Sequence, residues 1–114
     1  MMGKTEQKVL PLRVQFKIFI DARNMFLKSY GGARGLCHFV RLGINNSKDI
    51  ASNGMCDDIF ALFPLFSNSN ARQFKARVNG DIGFWWDIGT MYDYHNRLAF
   101  LNWIILELKK QMSV

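Results

Sequence analysis

At 114 residues, 49% hydrophobic and 14% aromatic, the chain has the length and apolar content of one globular domain, and it is excluded from the disordered class. No run approaches the roughly 18 uninterrupted apolar residues of a membrane span, so no membrane partner is expected. The formal charge of +6 is lopsided: residues 1–50 carry nine basic side chains against three acidic ones, residues 51–114 six of each, and the first half is expected to face an acidic partner.

Residues 1–9 are polar and are expected to form a loose tail on a single helical domain spanning 1–114. From Leu10 two periodicities compete. Leu10, Leu12, Val14, Phe16, Ile18 and Ile20 alternate with mostly polar neighbours, the period of a half-buried strand. Against this, Arg13, Lys17, Asp21, Asn24 and Lys28 recur every three or four residues, as one stripe of an α-helix does. Leu12, Phe16, Phe19, Phe26, Leu27 and Tyr30 then form the apolar side, widened by Val14, Ile18 and Met25. The helical pattern outlasts the alternating one, which stops at Asp21, so a long helix near 12–29 is favoured. Pro11 suits its first turn and Gly31-Gly32 its end. A strand over 10–20, giving an α+β fold, is the alternative.

Gly35–Leu42 reads as a short second helix closed by Gly43, and Ile44–Gly54, rich in Asn, Ser and Gly, as a loop. Cys56–Leu65 reads as an apolar helix with Asp57 and Asp58 in its first turn and Pro64 at its end. The Ser67–Asn70 run offers caps for a short helix over Asn70–Arg77. A turn-prone link then leads to Phe84-Trp85-Trp86. A pair of core lids over the last helix is the favoured reading there, and one tryptophan in the core with the other covering the surface as a contact is the alternative. Met91, Tyr94, Leu98, Leu101, Ile105, Leu108 and Met112 recur at spacings of three and four, and predict a final amphipathic helix. Thr90 and Asp93 resemble a capping box at its start, and Lys109 and Lys110 complement the dipole at its end. Its apolar stripe is expected to pack in the core, with a homodimeric coiled-coil seam as the alternative. The elements together predict an all-α bundle of four to five helices, the first and last long.

Catalytic groupings are not evident. Cys37 and His38 are neighbours whose side chains would diverge by about 100° on a helix, so they form no dyad. Cys37, His38, Cys56 and His95 lack the paired short spacings of a zinc site. No metal, cofactor or enzymatic activity is therefore expected. With two cysteines and no secretory h-region, the thiols are expected to be reduced in a cytoplasmic setting. The Gly31–Gly35 run lacks a phosphate-loop pattern, yet the helix start at Gly35 beside Arg34 could hold an anion. The residues that stand out as partner or anion contacts are Arg13, Lys17, Lys28 and Arg34, the tryptophans Trp85 and Trp86, and Arg97, placed to stack on or pair near the tryptophans.

The closing stretch GFWWDIGTMYDYHNRLAFLNWIILELKK resembles the C-terminal part of small phage-encoded proteins. The matching residues are Trp85, Trp86, Arg97, Phe100, Leu101, Ile104 and Ile105, and GLCHFVRL resembles their middle segment more loosely. The resemblance covers about half the chain and brings no catalytic residue with it. It implies a protein made in an infected bacterial cell that blocks a host enzyme or defence complex by occupying its surface, as anti-CRISPR proteins do. Two other readings stay open: a nucleic-acid-binding module using the basic stripe against phosphates, and a sponge for an anionic nucleotide.

Overall fold

Pro11, with φ of −56°, has no N–H to lose at a helix start, and α1 begins directly after it at Leu12 and runs to Lys28. The molecule, a computed structural model, is described at residues 9–31, 33–47, 59–74, 83–89 and 93–113. The other helices are α2 (Leu36–Asn46), α3 (Ile59–Leu62), α4 (Asn68–Ala71), continued by a 3₁₀ turn at Arg72–Phe74, α5 (Gly83–Asp87) and α6 (Tyr94–Met112). The fold is all-α, and residues 10–20 are not a strand. Among the described residues six α-helical segments stand against the four to five expected, because the tryptophan segment is itself a short helix and not a turn.

The apolar face of α1 is centred elsewhere than the sequence suggests. Val14, Gln15, Ile18, Phe19, Ala22 and Phe26 are buried, whereas Leu12 and Phe16 are half-buried and Leu27 and Tyr30 exposed. The buried set includes Gln15 because its side-chain amide donates to the carbonyl of Leu10 at 2.7 Å. The helix closes with Tyr30 N–H donating to Leu27 and Gly31 N–H to Phe26, the double bond of a Schellman ending. Glycine usually takes the left-handed position there, but here Tyr30 takes it, with φ of 55° and its side chain 74% exposed. Tyr30→Gly is therefore expected to stabilise the fold by about 1 kcal/mol, read as a raised melting temperature. An unchanged or lowered value would show that the tyrosine side chain contributes contacts of its own.

Gly43 does not close α2 but lies inside it, buried. A Cβ there would come within 2.6 Å of the Ile18 carbonyl, so glycine is what lets α1 and α2 approach this closely. The expected loop consequently begins three residues late, with Ile44–Asn46 still helical; 48–54 lie outside the described residues. Of the expected Cys56–Leu65 helix, Ile59–Leu62 is helical and 56–58, with both acidic residues, fall outside the described residues. Ser67 caps α4 by accepting from Asn70 N–H at 3.2 Å, two residues earlier than the helix expected at Asn70. Residues 75–77 of that expectation also lie outside the described residues.

Helix α6 packs along α1, joined by Arg23 donating to the Asn102 side-chain carbonyl at 3.0 Å. Phe100, Leu101, Ile104, Ile105 and Leu108 are buried there, so its apolar stripe is core and not a coiled-coil seam, while Met112 is exposed and Met91 lies outside the described residues. Asp93 occupies the cap position without a capping side-chain bond. The core is knit by edge-to-face and offset rings: Phe66 lies 4.6 Å from Trp86 and 5.7 Å from Phe19, whose ring meets Phe63 at 5.1 Å. These contacts place every helix on one continuous hydrophobic cluster.

Candidate functional site

The turn after α1 is tied to the far end of the chain. Gly89 N–H donates to the Ala33 carbonyl at 3.2 Å, Arg34 and Ile88 form an isolated antiparallel bridge, and Arg97 Nη1 donates to the Arg34 carbonyl at 3.2 Å. Arg97 is 1% exposed, with its guanidinium carbon 5.0 Å above the ring of Phe26. Burial lowers its pKa, and the Asp93 carboxylate, one helical turn earlier, acts in the opposite sense. The cation thus stacks on Phe26 of α1, not on the tryptophans. This hydrogen bond holds the backbone of Arg34, whose side chain is exposed.

Trp85 and Trp86 are 1% and 7% exposed, so both are core residues. This agrees with the favoured reading of two core lids; the alternative of one inside and one outside assumed an extended or turn backbone. In α5 both can point inward, since the segment lies between α2 and the aromatic cluster. Trp86 Nε1 donates to the Asn68 side chain at 2.7 Å. Trp85, Trp86 and Arg97 are therefore not available as surface contacts. A Cβ on Gly35 would lie 2.2 Å from the Trp86 carbonyl oxygen, so α5 backbone packs directly against the residue that opens α2.

What stays on the surface is the α1–α2 face. Arg13, Lys17 and Lys28 are exposed along α1. Arg34, His38 and Arg41 add a second basic line at spacings of four and three, with Arg34 and Arg41 exposed and His38 half-buried. Between the two lines lies an open cavity of about 250 Å³. Met25, Phe39 and Leu42 supply its apolar lining, and Lys28, Arg34 and His38 its charged or titratable groups. Ser29 also lines it, with its hydroxyl donating to the Phe26 carbonyl at 3.1 Å. No carboxylate is among these residues. Sequence reasoning found Lys28 and Arg34 but missed His38 and the apolar floor; the spacing of Arg34, His38 and Arg41 was the available signal.

Cys37 and His38 diverge as neighbouring helix positions must. The thiol faces the interior and its pKa is pushed up to about 11 by burial, with Arg41 opposing and Asp87 adding to the rise. At pH 7 about one such thiol in ten thousand is ionised, so iodoacetamide is expected to leave Cys37 unmodified until denaturant is added. Rapid alkylation at Cys37 in the native protein, located by peptide mass spectrometry, would contradict this. His38 titrates below its ordinary 6.5 because burial, and then Arg34, disfavour its cation. The unfolded chain therefore binds this proton more readily, and stability is expected to fall as pH drops below about 6.5. Across that range the melting temperature of the wild type should fall relative to that of His38→Gln, which lacks the titrating group; parallel curves would contradict this.

Among the described residues no helix is long and apolar enough to cross a membrane, and no group of three or more His, Cys, Asp or Glu side chains could hold a metal ion. Comparison with protein-family models, curated proteins and solved structures gives no match. By its own geometry, the molecule is an all-α protein with a basic-rimmed apolar cavity between its first two helices.

Proposed function

We propose that the chain is a non-enzymatic binding protein whose α1–α2 face covers an acidic surface of a partner protein. The observation that carries this reading is the cavity, which joins an apolar floor to Lys28, Arg34 and His38 with no carboxylate in its lining. Apolar burial supplies affinity at such a surface, while the charges set partner choice and encounter rate. A stable interface of the usual ~800 Å² per partner is large for so small a protein, so binding would also block what the partner does by occlusion. In the phage setting that the sequence resemblance implies, the partner is a host protein or defence complex and the outcome is inhibition.

The test is capture from a bacterial lysate with the wild type and with a Lys28→Glu, Arg34→Glu double variant, with and without nuclease. Both side chains are exposed, so the variant should fold. One protein retained by the wild type, lost by the variant and indifferent to nuclease supports the reading. Equal recovery by both proteins refutes it.

The exposed row of Arg13, Lys17 and Lys28 favours a second reading, in which α1 lies against nucleic-acid phosphates. Such binding would give a mobility shift that collapses steeply between about 50 and 200 mM salt.

A further inference from the structure

We infer that the α1–α2 cavity receives a single apolar side chain of the partner, aromatic or long aliphatic, carried on a segment whose flanking residues are acidic. This deepens the proposed function and rests on it. The volume selects the occupant: about 250 Å³ is below the roughly 300–1,000 Å³ of sites that enclose whole small molecules, but suits one inserted side chain.

The floor is suited to receiving such an anchor. Phe39 is braced from beneath by Phe26, their rings 5.4 Å apart at 79°, and Phe26 is itself fully buried. Met25 and Leu42 are half-buried, so apolar surface is left for an incoming group to cover, and methionine adapts to the shape of what it meets.

The rim selects the flanks. Lys28 comes from the last turn of α1, Arg34 from the connection and His38 from the first turn of α2, so the basic groups approach from three successive segments. The Ser29 hydroxyl proton is engaged by the Phe26 carbonyl, which leaves recognition of carboxylates to the basic side chains. The Arg34 backbone is held by Arg97, by the bridge to Ile88 and, through Ala33, by Gly89. Its side chain is thus presented from a fixed base, which lowers the ordering cost of binding.

The probes are synthetic peptides titrated into the purified full chain at low salt: a short run of Asp and Glu around one central Phe, the same run with Ala at the centre, and a Phe peptide with neutral flanks. Phenylpropionate and ATP serve as small anions. The acidic Phe peptide is expected to bind and to shift the NMR signals of Met25, Phe39 and Leu42. The Ala peptide should bind about thirtyfold more weakly, the size of a central hot-spot loss. Neutral flanks, or the Lys28→Glu, Arg34→Glu variant with an unchanged melting temperature, should cost at least about tenfold.

Equal binding of the Phe and Ala peptides, or shifts confined to other residues, overturns the inference and leaves the basic-face reading standing. So does failure of both acidic peptides to bind. Tighter binding of phenylpropionate or ATP than of the peptide overturns it in favour of a small-anion receptor. The proposed function itself fails separately, when the charge-reversed variant captures the same lysate protein as the wild type.

Discussion

Replacing Arg97 with Met should destabilise the fold by about 3–5 kcal/mol, the cost of removing one charge from a buried pair. The side chain is 1% exposed and Asp93, one turn earlier on the same helix, is 2% exposed. Methionine would keep much of the apolar stem but leave the Asp93 carboxylate in the interior without that cation. It would also withdraw the donor from the Arg34 carbonyl and the charge from the face of Phe26. Arg97→Lys should fall between the two, because an ammonium retains the charge but cannot reproduce the planar stacking. Urea unfolding followed by circular dichroism measures both. A loss below about 1 kcal/mol for Arg97→Met would mean that the pair contributes little beyond what an apolar side chain supplies.

Trp85→Ala and Trp86→Ala should each cost about 3–5 kcal/mol, as large-to-small changes in a packed core do. Neither should weaken partner binding in molecules that remain folded. The phenylalanine variants separate the two positions. Trp86 donates to Asn68 at 2.7 Å, whereas the Trp85 indole N–H is buried with no hydrogen-bond partner among the described residues. Trp86→Phe therefore loses a hydrogen bond, at an additional cost of about 1 kcal/mol. Trp85→Phe removes a polar group that was already unsatisfied. If Trp85→Phe proved the more damaging of the two, shape and volume would outweigh hydrogen bonding at α5.

Much of this architecture was legible from periodicity. The stripe from Arg13 to Lys28 and the spacing from Tyr94 to Leu108 fall on the two long helices observed. What periodicity could not convey was which residues face another element. Leu27 and Tyr30 fit the apolar side expected of α1, but the buried face is centred on Ile18, Phe19 and Ala22, and both remain exposed. Gly43 looked like a stop signal, and only the Ile18 carbonyl facing it reveals the need for a residue without a side chain. The tryptophans were singled out as unusual, which they are, but their composition could not say whether they served a partner or the interior. Arg97 illustrates the same gap, since a cation in the core is explained by Asp93 and Phe26 together, and Phe26 is distant in sequence. The cavity escaped notice for a related reason: its wall is divided between two helices and the turn joining them.

The linkage of Arg34 to Ile88 and Arg97 also bears on how the molecule is assembled during synthesis. A ribosome delivers α1 and α2 long before α6, and these two can pair locally into a helical hairpin. Until α6 emerges, however, Phe26 meets Phe39 but lacks Tyr94 and Arg97 against its ring, and nothing anchors the Arg34 carbonyl. The nascent chain must therefore carry a partly uncovered aromatic face until α6 is made. The cavity between α1 and α2 would acquire its fixed rim only once α6 has docked.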